Sequence, residues 1–205
     1  MLSFVSATRD SRMDFMARAP LARSLVRVGE CTPLGLHLYA GNTDPLGACY
    51  NSAIEEAGPD DILVFVHDDV YIDDWMVGVR LGEALSRFDI VGVAGNRRRR
   101  AGQETWYWEP GEAENGVVHV RVIDKAFLSG AIRHGGTQSS ISVYGPAPSP
   151  VKLLDGVFLA ARAARLKDAG VRFDPALGFH HYDLDFCRSA EQAGLSLGTW
   201  PIALT

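Results

Sequence analysis

The feature that most constrains this chain is a repeated alternation of short apolar runs with segments of helical periodicity. Leu2 to Ala7, Leu36 to Ala40 and Ile62 to Val66 are apolar runs of strand length, and each is followed by a segment whose apolar residues recur three or four positions apart. This alternation is typical of parallel strands joined by crossover helices. We therefore predict an α/β fold with a central, mostly parallel sheet flanked by helices.

The helix before the third run has the clearest start and stop signals. The sequence NTDP at residues 42–45 supplies a capping residue and a proline at the first turn, and Gly58 ends the periodic segment. The same signals predict further helices from Phe15 to Val28, Met76 to Phe88, Arg162 to Ala169 and Tyr182 to Ala193, and further strands from Asp89 to Gly95, Val117 to Ile123, Val151 to Ala160 and Gly198 to Leu204.

One long segment has neither periodicity. Ser129 to Pro150, SGAIRHGGTQSSISVYGPAPSP, is rich in glycine, serine and proline. Loops of this length inside a compact domain are usually functional or disordered. We predict a loop here that acts as a lid.

Length and composition restrict the class of protein. A chain of 205 residues that is 47% hydrophobic buries a sizeable core, which predicts one domain over residues 1–205. The formal net charge of -5 excludes a general nucleic-acid binder, because neutralising phosphates needs a basic face. Three cysteines without CxxC spacing indicate neither a disulfide framework nor a structural zinc site.

Targeting signals are not evident in the sequence. The first residues, MLSFVSATRDSR, do not form a basic region followed by an apolar core, and no run of about 18 apolar residues occurs. Together with the cysteine usage, this predicts a cytoplasmic protein without a transmembrane segment.

The third apolar run leads directly into His67, Asp68 and Asp69. Ligands of open parallel sheets bind at the carboxyl ends of the strands, which is where this triplet is predicted to lie. Adjacent residues of an extended chain point to opposite sides, so one carboxylate would face a ligand while the other turns away. Mg²⁺ and Mn²⁺ take one or two protein carboxylates and complete their shells with phosphates and water. The triplet alone fits equally a metal held on a nucleotide diphosphate and a capped turn.

The surrounding sequence resembles GT-A fold, family-2-like glycosyltransferases. PLGACYNSAI at residues 45–54, followed by Ile62 to Val70, is similar to the helix and strand that end in the DxD motif of these enzymes. His67 stands in place of the first Asp, as in the subset with an HxDV strand end, and Val70 matches. GVAG (92–95), LDGVFL (154–159) and HYDLDF (181–186) match further segments, so the resemblance spans residues 1 to 205 in order.

The resemblance implies roles for the donor side of the site. Asp69 corresponds to the carboxylate that binds a divalent cation, Mn²⁺ or Mg²⁺, and through it the donor diphosphate. Asp68 takes the variable middle position, and His67 the position that approaches the donor's ribose or sugar. The donor's nucleotide base is expected at the end of the first strand, at Thr8, Arg9 and Asp10.

The resemblance also implies roles for the catalytic side. Asp183 corresponds to the Asp of the "ED" motif, the general base of inverting members, with Tyr182 in place of Glu. The residues alone leave an alternative, in which Asp183 is an acid favoured by the helix dipole at a helix N-terminus and Asp185 fills the catalytic role. Asp155 fits a sugar contact, which we assign to the donor, and a plain turn equally well. Related enzymes often carry a metal-binding histidine just beyond a strand like Gly198 to Leu204. No histidine follows this strand up to Thr205, so either the histidine lies beyond Thr205 or His180, His181 or water takes that place.

A basic and aromatic segment follows the fourth predicted strand. Arg97 to Arg100 precede Trp106, Tyr107 and Trp108. One interpretation is an acceptor site, in which Trp106 or Trp108 stacks on a sugar and the arginines receive a diphosphate or a phospholipid-linked acceptor. The other is a solvated arginine loop beside a partly exposed aromatic cluster.

The predicted function is transfer of a sugar from a nucleotide-diphosphate donor to an acceptor hydroxyl, metal-dependent and inverting. Residues 1–95 would bind the nucleotide sugar and residues 96–205 the acceptor, which is a saccharide, a lipid-linked glycan, a peptide or a small molecule. The alternative is a catalytically degenerate domain that only binds a sugar nucleotide or a partner protein. A P-loop NTPase is excluded because GxxxxGK[ST] does not occur. A glycoside hydrolase would use two carboxylates without nucleotide or metal.

Overall fold

The computed structural model describes residues 1–110, 121–136 and 139–205. The helices of these ranges are α1 (Arg12–Arg18), α2 (Pro20–Gly29), α3 (Leu46–Glu56), α4 (Val77–Ala84), α5 (Ala163–Asp168) and α6 (Tyr182–Gln192), with a 3₁₀ turn at Pro175–Leu177. The strands are β1 (Leu2–Ala7), β2 (Leu34–Tyr39), β3 (Ile62–Val66), β4 (Ile90–Gly92), β5 (Ala94–Asn96), β6 (Glu109–Pro110), β7 (Arg121–Val122), β8 (Leu128–His134), β9 (Ser140–Gly145), β10 (Ser149–Pro150), β11 (Leu153–Leu154), β12 (Phe158–Arg162) and β13 (Leu197–Thr199).

The larger sheet of the described residues has seven strands in the order β10-β13-β4-β12-β3-β1-β2. Strand β1 runs parallel to β2 and β3, and β4 runs parallel to β13. Strand β12 is antiparallel to both β3 and β4, and β10 is antiparallel to β13. The predicted α/β fold with a mostly parallel central sheet and flanking helices is confirmed.

The middle of this sheet is the hydrophobic core. Phe4 and Val5 of β1 and all of Leu63 to Val66 in β3 are fully buried. Strands that are covered on both faces read as continuous apolar runs, which is why periodicity in the sequence located β1 and β3 to the residue. Because β3 is buried on both faces, the position of its carboxyl end, where His67 follows, is well defined.

Helix α3 is tied to the chain that approaches the site from the far end of the sequence. The Asn51 amide nitrogen donates to the Phe173 carbonyl at 2.8 Å, and its oxygen accepts from the Phe173 N–H at 2.9 Å. Gly47 lies against the backbone of Asp174, where a Cβ would be 3.0 Å from the carbonyl oxygen. These contacts position the segment that continues to Phe179.

The predicted strand Asp89 to Gly95 is two strands in two sheets. Strand β4 belongs to the central sheet, whereas β5 pairs with β8 and β11 in a four-stranded sheet of order β11-β5-β8-β9. The backbones approach closely at this change of sheet, since a Cβ on Gly130 would be 1.9 Å from the Val93 carbonyl oxygen. The apolar run is continuous because both sheets bury it.

The predicted lid loop from Ser129 to Pro150 is wrong. Strands β8 and β9 form an antiparallel hairpin in which Arg133 pairs with Ile141, and β10 pairs with β13. Glycine misled the prediction: Gly145 permits a close approach of strands, since a Cβ there would be 2.1 Å from the Leu128 carbonyl oxygen. Residues 137 and 138 lie outside the described residues.

The predicted strand Val117 to Ile123 is only partly covered, since residues 117–120 lie outside the described residues. Within it, β7 pairs with β6 in a two-stranded sheet. Across the described ranges, no helix has the length and apolar character needed to cross a membrane.

Candidate functional site

The carboxyl ends of β1, β2 and β3 border an open cavity of about 630 Å³. Its position outside the ends of parallel strands is where open α/β sheets bind ligands. Four of the predicted donor-binding residues meet here, and the lining comprises Ala7, Thr8, Arg9, Asp10, residues 42–46, Asp68, Gly178 and Phe179. We refer to it as the strand-end cavity.

Two backbone hydrogen bonds hold the wall of this cavity after β1. The Asn42 N–H donates to the Thr8 carbonyl at 2.8 Å, and the Gly41 N–H donates to the Asp10 carbonyl at 2.8 Å. The loops that leave β1 and β2 therefore form one unit. Arg9 is exposed on it and makes no ion pair with another described residue, which leaves its guanidinium available to an anion.

The end of β3 turns sharply after His67. The Val70 N–H donates to the His67 carbonyl at 3.3 Å, and the Leu21 N–H of α2 donates to the Asp68 carbonyl at 3.3 Å. Asp68 is partly buried in the cavity wall, whereas Asp69 is exposed in the turn. The two carboxylates thus occupy different environments.

This turn offers few side chains that could bind a metal ion. Across residues 1–110, 121–136 and 139–205, no group of three or more His, Cys, Asp or Glu side chains is arranged to hold a metal ion. One or two carboxylates at a ligand cavity still match the donor set that Mg²⁺ or Mn²⁺ uses together with substrate phosphates. Asp68 lines the cavity, as do Asp10 and Asp44, whereas Asp69 follows Asp68 in the turn and is not one of the lining residues.

A second cluster is built around Gly156, next to His67. The His67 N–H donates to the Val157 carbonyl at 3.3 Å, which brings the turn before β12 to the end of β3. Asp183 accepts the Gly156 N–H at 3.0 Å, and the Tyr182 hydroxyl donates to the Gly156 carbonyl at 3.0 Å. The structure therefore brings together three predicted site residues, His67, Asp155 and Asp183. We call this group the Gly156 cluster.

The cluster requires glycine at its centre. A Cβ at position 156 would lie 2.3 Å from the Tyr182 hydroxyl oxygen and 3.0 Å from the Asp183 Cβ. The first of these distances is much shorter than a van der Waals contact, and both neighbours lie in the first turn of α6. Sequence reasoning noted Gly156 only as part of a turn.

The two carboxyl groups of the cluster influence each other. Burial raises the pKa of Asp183, and the nearby Asp155 raises it further, against the hydrogen bonds from the Leu184 and Gly156 N–H groups. Burial also raises the pKa of Asp155, against the Val157 N–H, His67 and a hydrogen bond from Trp106. Perturbed carboxyl pKa values cluster at functional sites, and neither Asp155 nor Asp183 lines the strand-end cavity itself.

The two predicted acceptor-binding tryptophans have different environments. Trp106 is only 8% exposed, packs edge-on against Tyr144 with ring centroids 4.9 Å apart, and contacts Asp155. Trp108 is 37% exposed and packs edge-on against Tyr107. Trp108 therefore has the more accessible ring face, and Trp106 supports the carboxyl group of Asp155.

The arginine run holds its own loop together. Glu109 is almost fully buried and pairs with Arg98, while Arg100 approaches the same carboxylate at 3.3 Å. Arg98 also pairs with Asp124 at 2.9 Å, and Arg99 lies 3.8 Å from Glu191. The run is thus an ion-paired loop rather than a freely solvated one.

The remaining candidates lie around these two groups. His180 and His181 are exposed, and His181 has a left-handed backbone with φ 64°. Asp185 lines a separate cavity of about 670 Å³ together with Arg99 and Arg188. Thr205 pairs with Tyr71 through two backbone hydrogen bonds of 2.7 and 2.8 Å, beside the turn that carries Asp69.

Eight of the twelve cavity residues have no predicted ligand contact, and Asn42, Asp44 and Phe179 are among them. Asn42 and Asp44 were assigned only to helix capping, and Phe179 received no role, although its ring is 60% exposed at the cavity. A usable signal existed for the first two: β2 is parallel to β1, so the residues after it reach the same sheet edge. Phe179 lies at the cavity because the hydrogen bonds between Asn51 and Phe173 position the segment before it. These two residues are 122 positions apart in the sequence, so no local pattern predicts their contact.

Solved structures with a similar fold are glycosyltransferases in several cases. The catalytic domain of Drosophila beta1,4galactosyltransferase 7, in complex with xylobiose, matches with a TM-score of 0.52 and 12% identity over 97% of this chain and 63% of that chain. S. aureus TarS 1-349 matches with a TM-score of 0.51 and 15% identity over 97% of this chain and 57% of that chain. A197 from STIV matches with a TM-score of 0.51 and 11% identity, covering 98% of this chain and 81% of that chain.

These likenesses define the class of fold. The chain has the GT-A fold of glycosyltransferases, as its sequence resemblance implied. At these identities the likeness is one of fold, and this chain spans about three fifths of the two glycosyltransferase chains. No protein-family model matches the sequence, and no curated protein sequence matches it.

Proposed function

We propose that this protein is a glycosyltransferase that moves a sugar from a nucleoside diphosphate donor to an acceptor hydroxyl. The observation that carries the proposal is the meeting, at one sheet edge, of the strand-end cavity and the Gly156 cluster through His67 and its neighbour Asp68. The GT-A fold supports it. Similar structures include TarS with UDP, and Drosophila beta1,4galactosyltransferase 7 with manganese, UDP-Gal and xylobiose.

The donor occupies the strand-end cavity in this proposal. Thr8, Arg9 and Asp10 contact the nucleoside, because they form the wall after β1 and include a guanidinium without an ion pair among the described residues. Asp68 faces the ribose or the diphosphate linkage from the wall after β3. His67 and Asp155 contact the sugar side of the donor.

Asp69 holds a divalent cation, Mn²⁺ or Mg²⁺, in this proposal. Its exposed carboxylate has no ion pair among the described residues, and it follows the partly buried Asp68 that lines the cavity. When bound, such a cation neutralises the charge that develops on the leaving diphosphate. The protein's own contribution is the rigid strand end that fixes where the carboxylate stands.

Asp183 is the general base of an inverting reaction in this proposal. The N–H groups of Gly156 and Leu184 fix its two oxygens at 3.0 and 2.9 Å. Burial and Asp155 raise its pKa, so its carboxylate is a stronger base than an ordinary Asp. Removal of the acceptor's proton by such a group contributes ~10² to 10⁴-fold to the rate.

The acceptor approaches Asp183 from the side of the tryptophans. Trp108 presents the more exposed ring for stacking on a sugar, and Trp106 fixes the neighbouring Asp155. Residues 96–205 supply both the base and this aromatic wall. Gly178 and Phe179 of the same half also line the strand-end cavity, so the donor contacts both halves of the chain.

The proposal is tested by binding first and turnover second. Calorimetry with UDP, GDP and dTDP, each with and without Mn²⁺, is expected to show one nucleotide that binds and that needs the cation. Asp69→Asn is expected to remove the cation-dependent part of the affinity. Lack of binding by every nucleotide would contradict the proposal.

Turnover then separates an enzyme from a degenerate, binding-only domain. With the nucleotide sugar that matches the preferred nucleotide, Asp183→Asn is expected to lower kcat by ~10² or more while leaving donor affinity within about threefold. Wild-type protein that binds the donor but releases no nucleotide with any class of acceptor, or with water, supports the binding-only domain instead.

A further inference from the structure

Tyr182 connects the donor side of the site with the base. It is the first residue of α6 and is only 3% exposed. Its ring packs among those of Tyr50 and Phe173, at centroid distances of 6.0 and 6.1 Å. Its hydroxyl oxygen lies 3.0 Å from the Gly156 carbonyl oxygen and 2.8 Å from the Nε2 atom of His67. These contacts restrict the position of the phenol.

The hydrogens of this arrangement can be counted. A phenol has one hydrogen, and the Gly156 carbonyl can only accept, so the Tyr182 O–H is used on Gly156. Burial raises the pKa of Tyr182, which keeps that hydrogen in place. The phenol oxygen then satisfies its second contact only as an acceptor, from a hydrogen on Nε2 of His67.

A neutral imidazole carries one ring hydrogen. If that hydrogen is on Nε2, then Nδ1 has a lone pair and is a hydrogen-bond acceptor. Nδ1 has no hydrogen-bond partner among the described residues, although the His67 side chain is partly buried. The ring lies 5.8 Å from that of Phe179, which lines the strand-end cavity. His67 does not itself line the cavity, so a ligand that extends from the cavity past Phe179 to the imidazole would shield this lone pair from water and must supply a hydrogen to it.

We propose that Tyr182 is a positioning residue that holds His67 in the Nε2–H tautomer, so that Nδ1 accepts a hydrogen bond from a hydroxyl group of the bound donor. The ligand in this inference rests on the proposed function. The tautomer follows from contacts within the protein. A nucleoside diphosphate sugar has hydroxyl groups on its ribose and on its sugar, and both offer the required hydrogen.

The tautomer is tested without any ligand. Long-range ¹H–¹⁵N correlation spectra of the imidazole, recorded where the ring is neutral, are expected to show His67 with its hydrogen on Nε2. Tyr182→Phe removes only the phenol oxygen, and in that variant the His67 signals are expected to move toward a mixture of both tautomers. An Nδ1–H ring in the wild type, or unchanged His67 signals in Tyr182→Phe, would overturn the inference.

The acceptor role of Nδ1 is tested with a matched pair of variants. The side-chain amide of His67→Asn places its oxygen near the position of Nδ1, whereas that of His67→Gln reaches the position of Nε2. With the preferred nucleotide of the UDP, GDP and dTDP panel and Mn²⁺, Asn is expected to keep affinity within about threefold and Gln to lose about tenfold, the effect of one hydrogen bond. Equal affinities for the two variants would contradict the acceptor role.

Two further arms locate the hydroxyl and separate this inference from the function itself. If His67→Gln lowers the affinity for both the nucleoside diphosphate and the nucleoside diphosphate sugar, the hydroxyl belongs to the ribose. If it lowers only the affinity for the nucleoside diphosphate sugar, the hydroxyl belongs to the sugar. If the wild type binds no nucleotide, the proposed function fails together with the hydroxyl contact, while the spectra still decide the tautomer. A bound nucleotide with an Nδ1–H ring overturns this inference alone.

Tyr182→Phe also distinguishes positioning from packing. A packing role predicts a lower melting temperature with unchanged donor affinity. The positioning role predicts a donor affinity reduced about threefold to tenfold together with the altered His67 signals. Unchanged affinity in a folded Tyr182→Phe protein would overturn the positioning role.

Discussion

At the scale of single residues, the site depends on two partly buried carboxyl groups that share one turn. Asp155 and Asp183 each have a raised pKa, mainly because of burial, and Asp155 adds to the effect on Asp183. Groups coupled in this way titrate as a pair. The state of one therefore sets the base strength of the other.

Replacing Asp155 is expected to change the pH dependence of transfer. Asp183 must be ionised to accept a proton, and its raised pKa puts the acid limb of kcat/KM above the ordinary Asp value of 3.8. Asp155→Asn removes the neighbouring charge, so the limb should move to lower pH. A pH profile of kcat/KM measures this, with Asp168→Asn, an exposed carboxylate at the end of α5, as the control. An unmoved limb in Asp155→Asn would contradict the coupling.

Gly156 is expected to tolerate no side chain. Gly156→Ala brings a Cβ to 2.3 Å from the Tyr182 hydroxyl, which predicts a loss of ~1–3 kcal/mol of unfolding free energy and of most activity. Gly82→Ala in α4 is the matched control, because nothing lies within 4 Å of its Cβ and alanine favours a helix by ~0.5–1 kcal/mol. Urea denaturation compares the two, and equal stability of both variants would count against the crowded cluster.

The residues that sequence could assign are those at strand ends. His67 and Asp68 follow an apolar run whose bounds are unambiguous, so their position at the sheet edge was predictable. The partners of His67 were not, because Tyr182 is 115 positions away and contacts it through a turn that only Gly156 allows. The individual site roles stay predictions until binding and turnover are measured.

At the scale of elements, the strands of the central sheet that are buried on both faces are easier to predict from sequence than the strands of the four-stranded sheet. The bounds of β1 and β3 match their apolar runs, whereas the change of sheet between β4 and β5 leaves no signal, because both strands are buried. Glycine-rich composition predicts a loop where the β8–β9 hairpin lies, because glycine is typical of turns. Those glycines allow strand backbones to approach, a tertiary requirement that composition alone does not reveal.

The loop after β5 is expected to depend on its buried acid. Glu109 accepts Arg98 and the Asn96 amide, and Arg100 lies 3.3 Å away. Glu109→Ala removes one partner of the buried Asn96 amide and leaves the partly exposed Arg98 with Asp124, so it should lower the unfolding free energy by ~1–3 kcal/mol. Thermal or urea denaturation measures this.

The matched control for Glu109 is the exposed end of the same network. Asp124 pairs with the same guanidinium at 2.9 Å but has a side chain that is 39% exposed. Asp124→Ala should therefore cost only ~0–1 kcal/mol, as other exposed ion pairs do. A loss in Glu109→Ala no larger than that in Asp124→Ala would show that the arginine loop does not depend on the buried carboxylate.

At the scale of the whole molecule, residues from both ends of the chain line the strand-end cavity at one edge of the sheet. The strand-end cavity combines residues 7–10, 42–46 and 68 with Gly178 and Phe179, and Thr205 pairs beside the turn that carries Asp69. A single domain over residues 1–205 stays a prediction. A single domain is expected to unfold in one cooperative transition, with the same midpoint by fluorescence and by circular dichroism.

Donor binding is expected to stabilise the whole chain. A nucleotide at 100 times its dissociation constant adds about 2.7 kcal/mol to the unfolding free energy, which raises the melting temperature by several degrees. The shift should need Mn²⁺ and should vanish in Asp69→Asn, whereas Asp60→Asn, in the loop before β3, should keep it. A shift that is independent of the cation would contradict the metal role of Asp69.

One Cα atom links the two halves of the proposed chemistry. The N–H of Gly156 binds the acid that would deprotonate the acceptor, and its carbonyl binds the phenol that orients the imidazole toward the donor. Any rotation of the backbone at this hinge shifts both partners at once. In the proposed mechanism, donor recognition by His67 and acceptor activation by Asp183 both depend on the backbone conformation of Gly156. A mutation here that changes the preference for one substrate therefore also changes the preference for the other.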